Sequence, residues 1–205
     1  MFTGIVQTTG RVISVKHTGD NAEIDILPAA DNYSEEIKTG DSISVNGVCL
    51  TVTSVDKGSL KFTVVKETLS KTNLEELNAG EYLNLEKAMT VNSKLDGHLV
   101  QGHVDTTGKI NRITENLGSH EFFISFSSKF RDFIIKIGSI SVDGVSLTIA
   151  EITEETDEGI EIKIAVIPHT YQNTAFKHLK EGDTVNIEFD MMGKYIKRIF
   201  ENNIK

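Results

Sequence analysis

The 205-residue sequence predicts an all-β protein of two tandem homologous antiparallel barrels followed by a C-terminal helix. Three observations predict it: the chain repeats itself at a spacing near 98 residues, each copy is built of short β-branched runs punctuated by turn signals, and the tail switches to helical periodicity. Ser42-Ile43-Ser44-Val45-Asn46-Gly47-Val48-Cys49-Leu50-Thr51 recurs as Ser139-Ile140-Ser141-Val142-Asp143-Gly144-Val145-Ser146-Leu147-Thr148, identical at eight of ten positions. Upstream, Val6-Gln7-Thr8-Thr9-Gly10 parallels Val104-Asp105-Thr106-Thr107-Gly108. Downstream, Thr68, Leu77, Gly80, Asn84 and Glu86 pair with Thr170, Leu179, Gly182, Asn186 and Glu188. The offsets are 97, 98 and 102, and the growth falls in one acidic loop holding Glu154, Glu155, Asp157 and Glu158. Such a period is too long for a solenoid unit and suits whole domains, 1–96 and 97–190, with a tail at 191–205.

Each element has a local reason. Ile43-Ser44-Val45 alternates, Asn46-Gly47 is a hairpin turn, and Val48-Cys49-Leu50-Thr51-Val52-Thr53 returns as a β-branched strand; Asp143-Gly144 repeats the turn. Leu60-Lys61-Phe62-Thr63-Val64-Val65 and Tyr82-Leu83-Asn84-Leu85-Glu86 add further strands. With only two prolines, closure of each copy into a small barrel removes the exposed sheet edges. Residues 72–77 and 174–179 read as one short helix per copy, capped by Thr or Asn. In the tail, Met192, Tyr195, Ile196, Ile199 and Phe200 fall on one helical face, and Lys194, Lys197 and Arg198 on the other. That apolar face covers either its own barrel or another subunit.

Composition narrows the function. Lys plus Arg number 21 against 30 Asp plus Glu, so a net charge of −9 argues against nucleic acid and anionic membrane. The longest apolar run, 164–167, is far short of the roughly 20 residues of a membrane span, and the start resembles no secretory signal. With a single cysteine, Cys49, the expected setting is cytoplasmic. The scattered histidines make no zinc-ligand pattern, and neither a dinucleotide fingerprint nor a nucleophile elbow appears.

What remains is polar groups placed by the duplicated turns. Cys49 and Ser146 hold equivalent positions, as small strand residues or as matched polar groups of two pockets with different duties. His103 stands where the first copy has Ile5, as a structural histidine or as an acid–base group near neutral pH.

Met1-Phe2-Thr3-Gly4-Ile5-Val6, the segment 46–53, Lys66-Glu67-Thr68, Gly97-His98-Leu99-Val100-Gln101-Gly102-His103-Val104-Asp105, the segment 143–148 and Ile167-Pro168-His169-Thr170 together resemble riboflavin synthase of the alpha-chain type. The match runs from the first residue to the tail. The resemblance implies two six-stranded Greek-key barrels of the flavin-binding type and a helix that joins three subunits. It implies dismutation of two 6,7-dimethyl-8-ribityllumazine molecules to riboflavin and 5-amino-6-ribitylaminouracil, with no cofactor or metal. It also implies that the reacting pair is held between the N-barrel of one subunit and the C-barrel of its neighbour.

By motif, the N-barrel pocket takes Gly4, Ile5, Val6, Cys49, Leu50, Thr51, Thr63, Val64, Val65, Lys66, Glu67 and Thr68. The C-barrel pocket takes Gly102, His103, Val104, Ser146, Leu147, Thr148, Ala165, Val166, Ile167, Pro168, His169 and Thr170. His103 is the candidate for proton transfer, Ser42, Cys49 and Ser146 for the nucleophile or for orienting water, and Asp190 for acid–base assistance. At one place the chain departs from the family, whose members often carry Lys immediately before Gly138; here Ile137 holds that place and the lysine is Lys136. On a strand one step reverses the face, so a lysine contact from 137 is not expected unless Lys136 reaches round. The alternative to the enzyme is a non-catalytic lumazine or flavin antenna protein, which keeps the fold and changes the catalytic residues.

Overall fold

The computed structural model describes residues 1–203. The first barrel comprises β1 (Thr8–Thr18), β2 (Asn21–Pro28), β3 (Ser42–Val45), β4 (Val48–Asp56), β5 (Ser59–Val64) and β6 (Tyr82–Lys87). The second comprises β7 (Thr106–Asn116), β8 (Ser119–Ser127), β9 (Ser139–Val142), β10 (Val145–Glu155), β11 (Gly159–Val166) and β12 (Thr184–Phe189). Both close antiparallel in the same order, β1-β2-β5-β4-β3-β6 and its equivalent β7-β8-β11-β10-β9-β12. The second strand of each barrel skips its sequence neighbour to pair with the fifth, the crossing connection of a Greek key.

Strand alternation places the cores. Along β2, Ala22, Ile24, Ile26 and Pro28 are buried between more exposed Glu23, Asp25 and Leu27. Phe62 in the first barrel and Phe122, Phe176 and Phe189 in the second are among the largest fully buried side chains. Closure needs curvature, and the register shifts between Val12 and Ser14 and between Val52 and Ser54 recur at Ile110/Arg112 and Ile149/Glu151. The expected helices at 72–77 and 174–179 are tighter 3-10 turns, Asn73–Glu76 and Ala175–His178. The hydroxyls of Thr72 and Thr174 accept from Leu74 and Phe176 N–H at their starts. Short helices α1 (Lys66–Leu69) and α2 (Pro168–Asn173) precede them.

The two barrels meet turn against turn. Asn46 and Asp143 both have φ of 45°, and Gly47 and Gly144 have φ of 78° and 77°, the left-handed pair a tight hairpin requires. A Cβ on either glycine would come within 2.7 Å of the other glycine's nitrogen, so only glycine permits this approach. Around it Asn84 Nδ2 donates to the Asp143 carbonyl and Asn186 Nδ2 to the Asn46 carbonyl, each at 2.9 Å. The contacts are paired by an approximate twofold axis that carries one half of the chain onto the other.

The tail is helix α3 (Met191–Asn203), and residues 204 and 205 of the expected 191–205 segment lie outside the described residues. Lys194 and Lys197 face inward, whereas Arg198 is exposed: Lys194 Nζ pairs with Asp105 at 2.6 Å, and Lys197 pairs with Asp132 and lies over the Phe133 ring. Met192, Tyr195, Ile196, Ile199 and Phe200 point away from the barrels and are 50–63% exposed.

Candidate active site

Cys49 and Ser146 stand at the second position of β4 and β10, immediately after the paired hairpin turns. Both are partly buried, opposite Ser44 and Ser141 in the ladder. Their backbone N–H groups reach beyond the sheet, and here the structure corrects an expectation. Order along the chain groups Gly4, Ile5 and Val6 with Cys49, and Gly102, His103 and Val104 with Ser146. The segments are exchanged instead. Ser146 N–H donates to the Gly4 carbonyl at 2.7 Å and Cys49 N–H to the Gly102 carbonyl at 2.9 Å. Val6 packs on the second core and Val104 on the first. The cause is a short antiparallel crossing, in which Phe2 and Val100 exchange backbone hydrogen bonds of 2.7 and 3.1 Å and carry each segment toward the other barrel. Gly4 and Gly102, at φ of 75° and 81°, press directly against Ser146 and Cys49.

Each crossing segment is held by one buried carboxylate. Glu86 on β6 accepts from Thr3 N–H and Oγ1–H at 2.7 Å and from Gly4 N–H at 3.0 Å. Glu188 on β12 accepts from the N–H groups of Gln101, Gly102 and His103 at 2.6–2.9 Å. Burial pushes both carboxyls above the ordinary glutamate range, against the pull of these donors. Both glutamates are visible in the sequence as repeat identities, yet nothing local there marks them as anchors of the site segments. The ring of His98 is also absent from the residue-level candidates; its Nδ1 lies 2.7 Å from Ser146 Oγ. Burial lowers its pKa, with the Asp190 carboxylate acting in the opposite direction.

The other candidates divide by what their side chains touch. Leu50, Val64 and Val166 turn their side chains into the cores. Ile5, Val65 and Ile167 are about half exposed and supply apolar surface at the barrel mouths. Thr51, Thr63, Thr148, Ala165, Pro168, His169 and the His103 ring are exposed, while Leu147 and Thr170 are partly so. Lys66 pairs with Asp20 and Glu67 with Lys71, both in solvent; Thr68 is partly buried at the end of the same turn. Ser42 is partly buried opposite Thr51. Asp190 caps α3, its Oδ1 accepting from Met192 N–H at 2.9 Å.

Ile137 requires a second correction. It lies in a tight turn before β9, with φ of 65°, so strand alternation does not govern the direction of its neighbours. It is 76% exposed, and Glu151 on the neighbouring strand pairs with Lys163 at 2.9 Å. Apart from these mouths, a cleft of about 400 Å³ lies between the barrels, walled by Asn73, Tyr82, Asp143 and His178.

The lumazine binding domain family matches residues 3–88 and again 101–190. The chain is 41% identical over 198 residues to riboflavin synthase of Bacillus subtilis (strain 168), covering 97% of this chain and 89% of that one. It is 39% identical over 198 residues to riboflavin synthase of Actinobacillus pleuropneumoniae, with the same coverage. A solved structure of LumP complexed with 6,7-dimethyl-8-(1'-D-ribityl) lumazine superposes with a TM-score of 0.81 at 25% identity, covering 92% of this chain and 98% of that one.

Proposed function

The chain belongs to the riboflavin synthase family, and from that premise we propose how its two barrels divide the work of the enzyme. The reaction is the dismutation of two 6,7-dimethyl-8-ribityllumazine molecules to riboflavin and 5-amino-6-(D-ribitylamino)uracil by transfer of a four-carbon unit. The observation that carries the division is the exchange of segments. It groups His103 with Cys49 at the first barrel and the Gly4–Ile5–Val6 stretch with Ser146 at the second. Two mouths of one design, each with an unlike polar group, suit a reaction in which two identical molecules play unlike parts.

One lumazine loses a proton from its C7 methyl group, and His103 is the group proposed to accept it. The other is attacked at C7, with Cys49, Ser146 or Ser42 orienting the nucleophile or supplying it. Thr51 and Thr148 hydroxyls suit the ribityl chain, and the half-exposed Val65 and Ile167 suit the flat ring system. Asp190 acts through the electrostatics of the second mouth. Holding two reactants face to face contributes roughly 7–11 kcal/mol of barrier lowering.

The two mouths of one subunit belong, in this reading, to two different reacting pairs. The outward apolar face of α3 supports assembly of three subunits, which brings the first barrel of one beside the second barrel of the next. Chain segments 1–96, 97–190 and 191–205 then serve as first lumazine barrel, second lumazine barrel and trimer helix.

Incubating the purified chain with the lumazine alone and following flavin absorbance tests the function. Riboflavin should accumulate to one molecule for every two lumazines consumed. Tight binding with no conversion would make the chain a non-catalytic lumazine or flavin antenna protein.

A further inference from the structure

The Ser146 hydroxyl has a partner that the division of labour above leaves unused. Its backbone N–H is already committed to the Gly4 carbonyl, and Oγ is the one polar atom of its side chain. His98 Nδ1 sits 2.7 Å from that oxygen, a good distance for a hydrogen bond. The histidine is itself fixed. Its N–H donates to the Thr3 carbonyl at 3.1 Å, and a Cβ on the preceding Gly97 would fall within 2.9 Å of Ser146 Oγ. The linker backbone therefore lies directly on the serine and aims the ring at it. At the equivalent place in the first barrel the residue is Cys49, a free thiol.

We propose that His98 is a positioning residue for Ser146, its neutral ring accepting the Oγ–H at Nδ1 so that the oxygen's lone pairs face the second-barrel pocket. Burial supports this by favouring the uncharged imidazole, whose one unprotonated nitrogen can accept, against the opposing pull of the Asp190 carboxylate. With its proton directed at the ring, Oγ is an acceptor for a substrate N–H, a ribityl hydroxyl or a water. Without the ring the hydroxyl rotates freely and presents donor and acceptor indiscriminately. The inference rests on the assignment of Ser146 to the reacting pocket.

The test uses the full chain with 6,7-dimethyl-8-ribityllumazine as substrate and riboflavin as the binding probe. His98→Phe keeps a ring and removes the nitrogen, and His98→Asn places an amide oxygen near the lost Nδ1. Expected for His98→Phe is a tenfold to hundredfold fall in kcat, the scale of a misoriented group, with riboflavin affinity held within about threefold. His98→Asn should recover most of the rate. Because the histidine acts through the serine, His98→Phe/Ser146→Ala should be no slower than Ser146→Ala alone. An unchanged rate in His98→Phe, or the same further loss in the Ser146→Ala background, overturns the proposal. The ¹⁵N resonance of His98 Nδ1 gives a readout that needs no turnover and no ring substitution. It should move in Ser146→Ala, and a resonance that stays put also overturns the proposal. A native chain that forms no riboflavin removes the proposed function and this inference together, whereas additive losses in an active enzyme remove the inference alone.

Discussion

At the scale of residues, the two halves differ where their turns meet and where their strands begin. Asp143 replaces Asn46 in the buried contact between barrels, and its Oδ1 accepts from Asn186 N–H at 2.8 Å and Asn73 Nδ2 at 3.1 Å. Burial raises its pKa from 3.8 to about 7, more than those donors lower it. A folded-state pKa above the unfolded one means the native chain binds the extra proton. Its stabilising contribution is therefore complete below pH 3.8 and is lost as pH rises through about 7. Asp143→Asn keeps an acceptor oxygen and cannot ionise, so its melting temperature relative to the native chain should rise between pH 4 and pH 8. Parallel melting curves across that range would show the carboxyl to be uncoupled from stability. At the mouths, His103→Ala should lower turnover by about 10²–10⁴, the usual contribution of a positioned acid–base group, while leaving ligand affinity within a small factor. Cys49→Ser should cost less, since a hydroxyl occupies the matching place at 146. Single-turnover rates with titrated riboflavin check both, and a full rate in His103→Ala would return the histidine to a structural role.

At the scale of elements, α3 is held by charge and displays grease. Two lysines dock it onto Asp105 and Asp132, while five apolar side chains face solvent. A helix folded over its own barrel would do the opposite, so the arrangement favours a second subunit as the cover. Deleting 191–205 should yield smaller species by sedimentation with little activity, because the proposed site needs two subunits; a fully active monomer would contradict this. The apolar face itself was legible from its 3.6-residue period, as were the hairpins at Asn46-Gly47 and Asp143-Gly144 and the barrels implied by alternating strands. Local signals of that kind could not reveal the exchange of 1–6 with 99–104. Its determinants are the bridge between Phe2 and Val100 and the carboxylates Glu86 and Glu188, which meet their partners across 82 to 98 residues of chain. The pairing of His98 with Ser146 escaped for the same reason. Residues 72–77 carry the caps of a helix but have room for a single 3-10 turn before β6, and their length rather than their propensity decided the outcome.

At the scale of the molecule, the interface between barrels is close to a dimer interface made within one chain. Its central contacts come in counterpart pairs: Gly47 on Gly144, Asn84 to Asp143 with Asn186 to Asn46, Gly4 to Ser146 with Gly102 to Cys49. Phe2 and Val100 are themselves equivalent positions, so their bridge straddles the axis. The first half alone holds Gly4, Asn46, Gly47, Cys49 and Asn84, one member of each pair together with its complement. Two copies of residues 1–97 can therefore dock on each other, the Gly4 carbonyl of one accepting from Cys49 N–H of the other, and the Asn84 amide of one donating to the Asn46 carbonyl of the other. As a monomer, the same fragment would leave Gly4 and Cys49 without these partners and the turn at Gly47 in solvent, with an unmade hydrogen bond costing about 1–3 kcal/mol wherever water is excluded. The fragment should then sediment as a dimer at micromolar concentration and bind riboflavin. It should form none, because it lacks both His103 and Ser146. A strictly monomeric fragment would mean that the segment 99–104 does something Gly4 cannot replace. Sustained conversion of lumazine by the fragment would mean instead that catalysis needs only like barrels, and that the differences at 5/103 and 49/146 belong to stability rather than to chemistry.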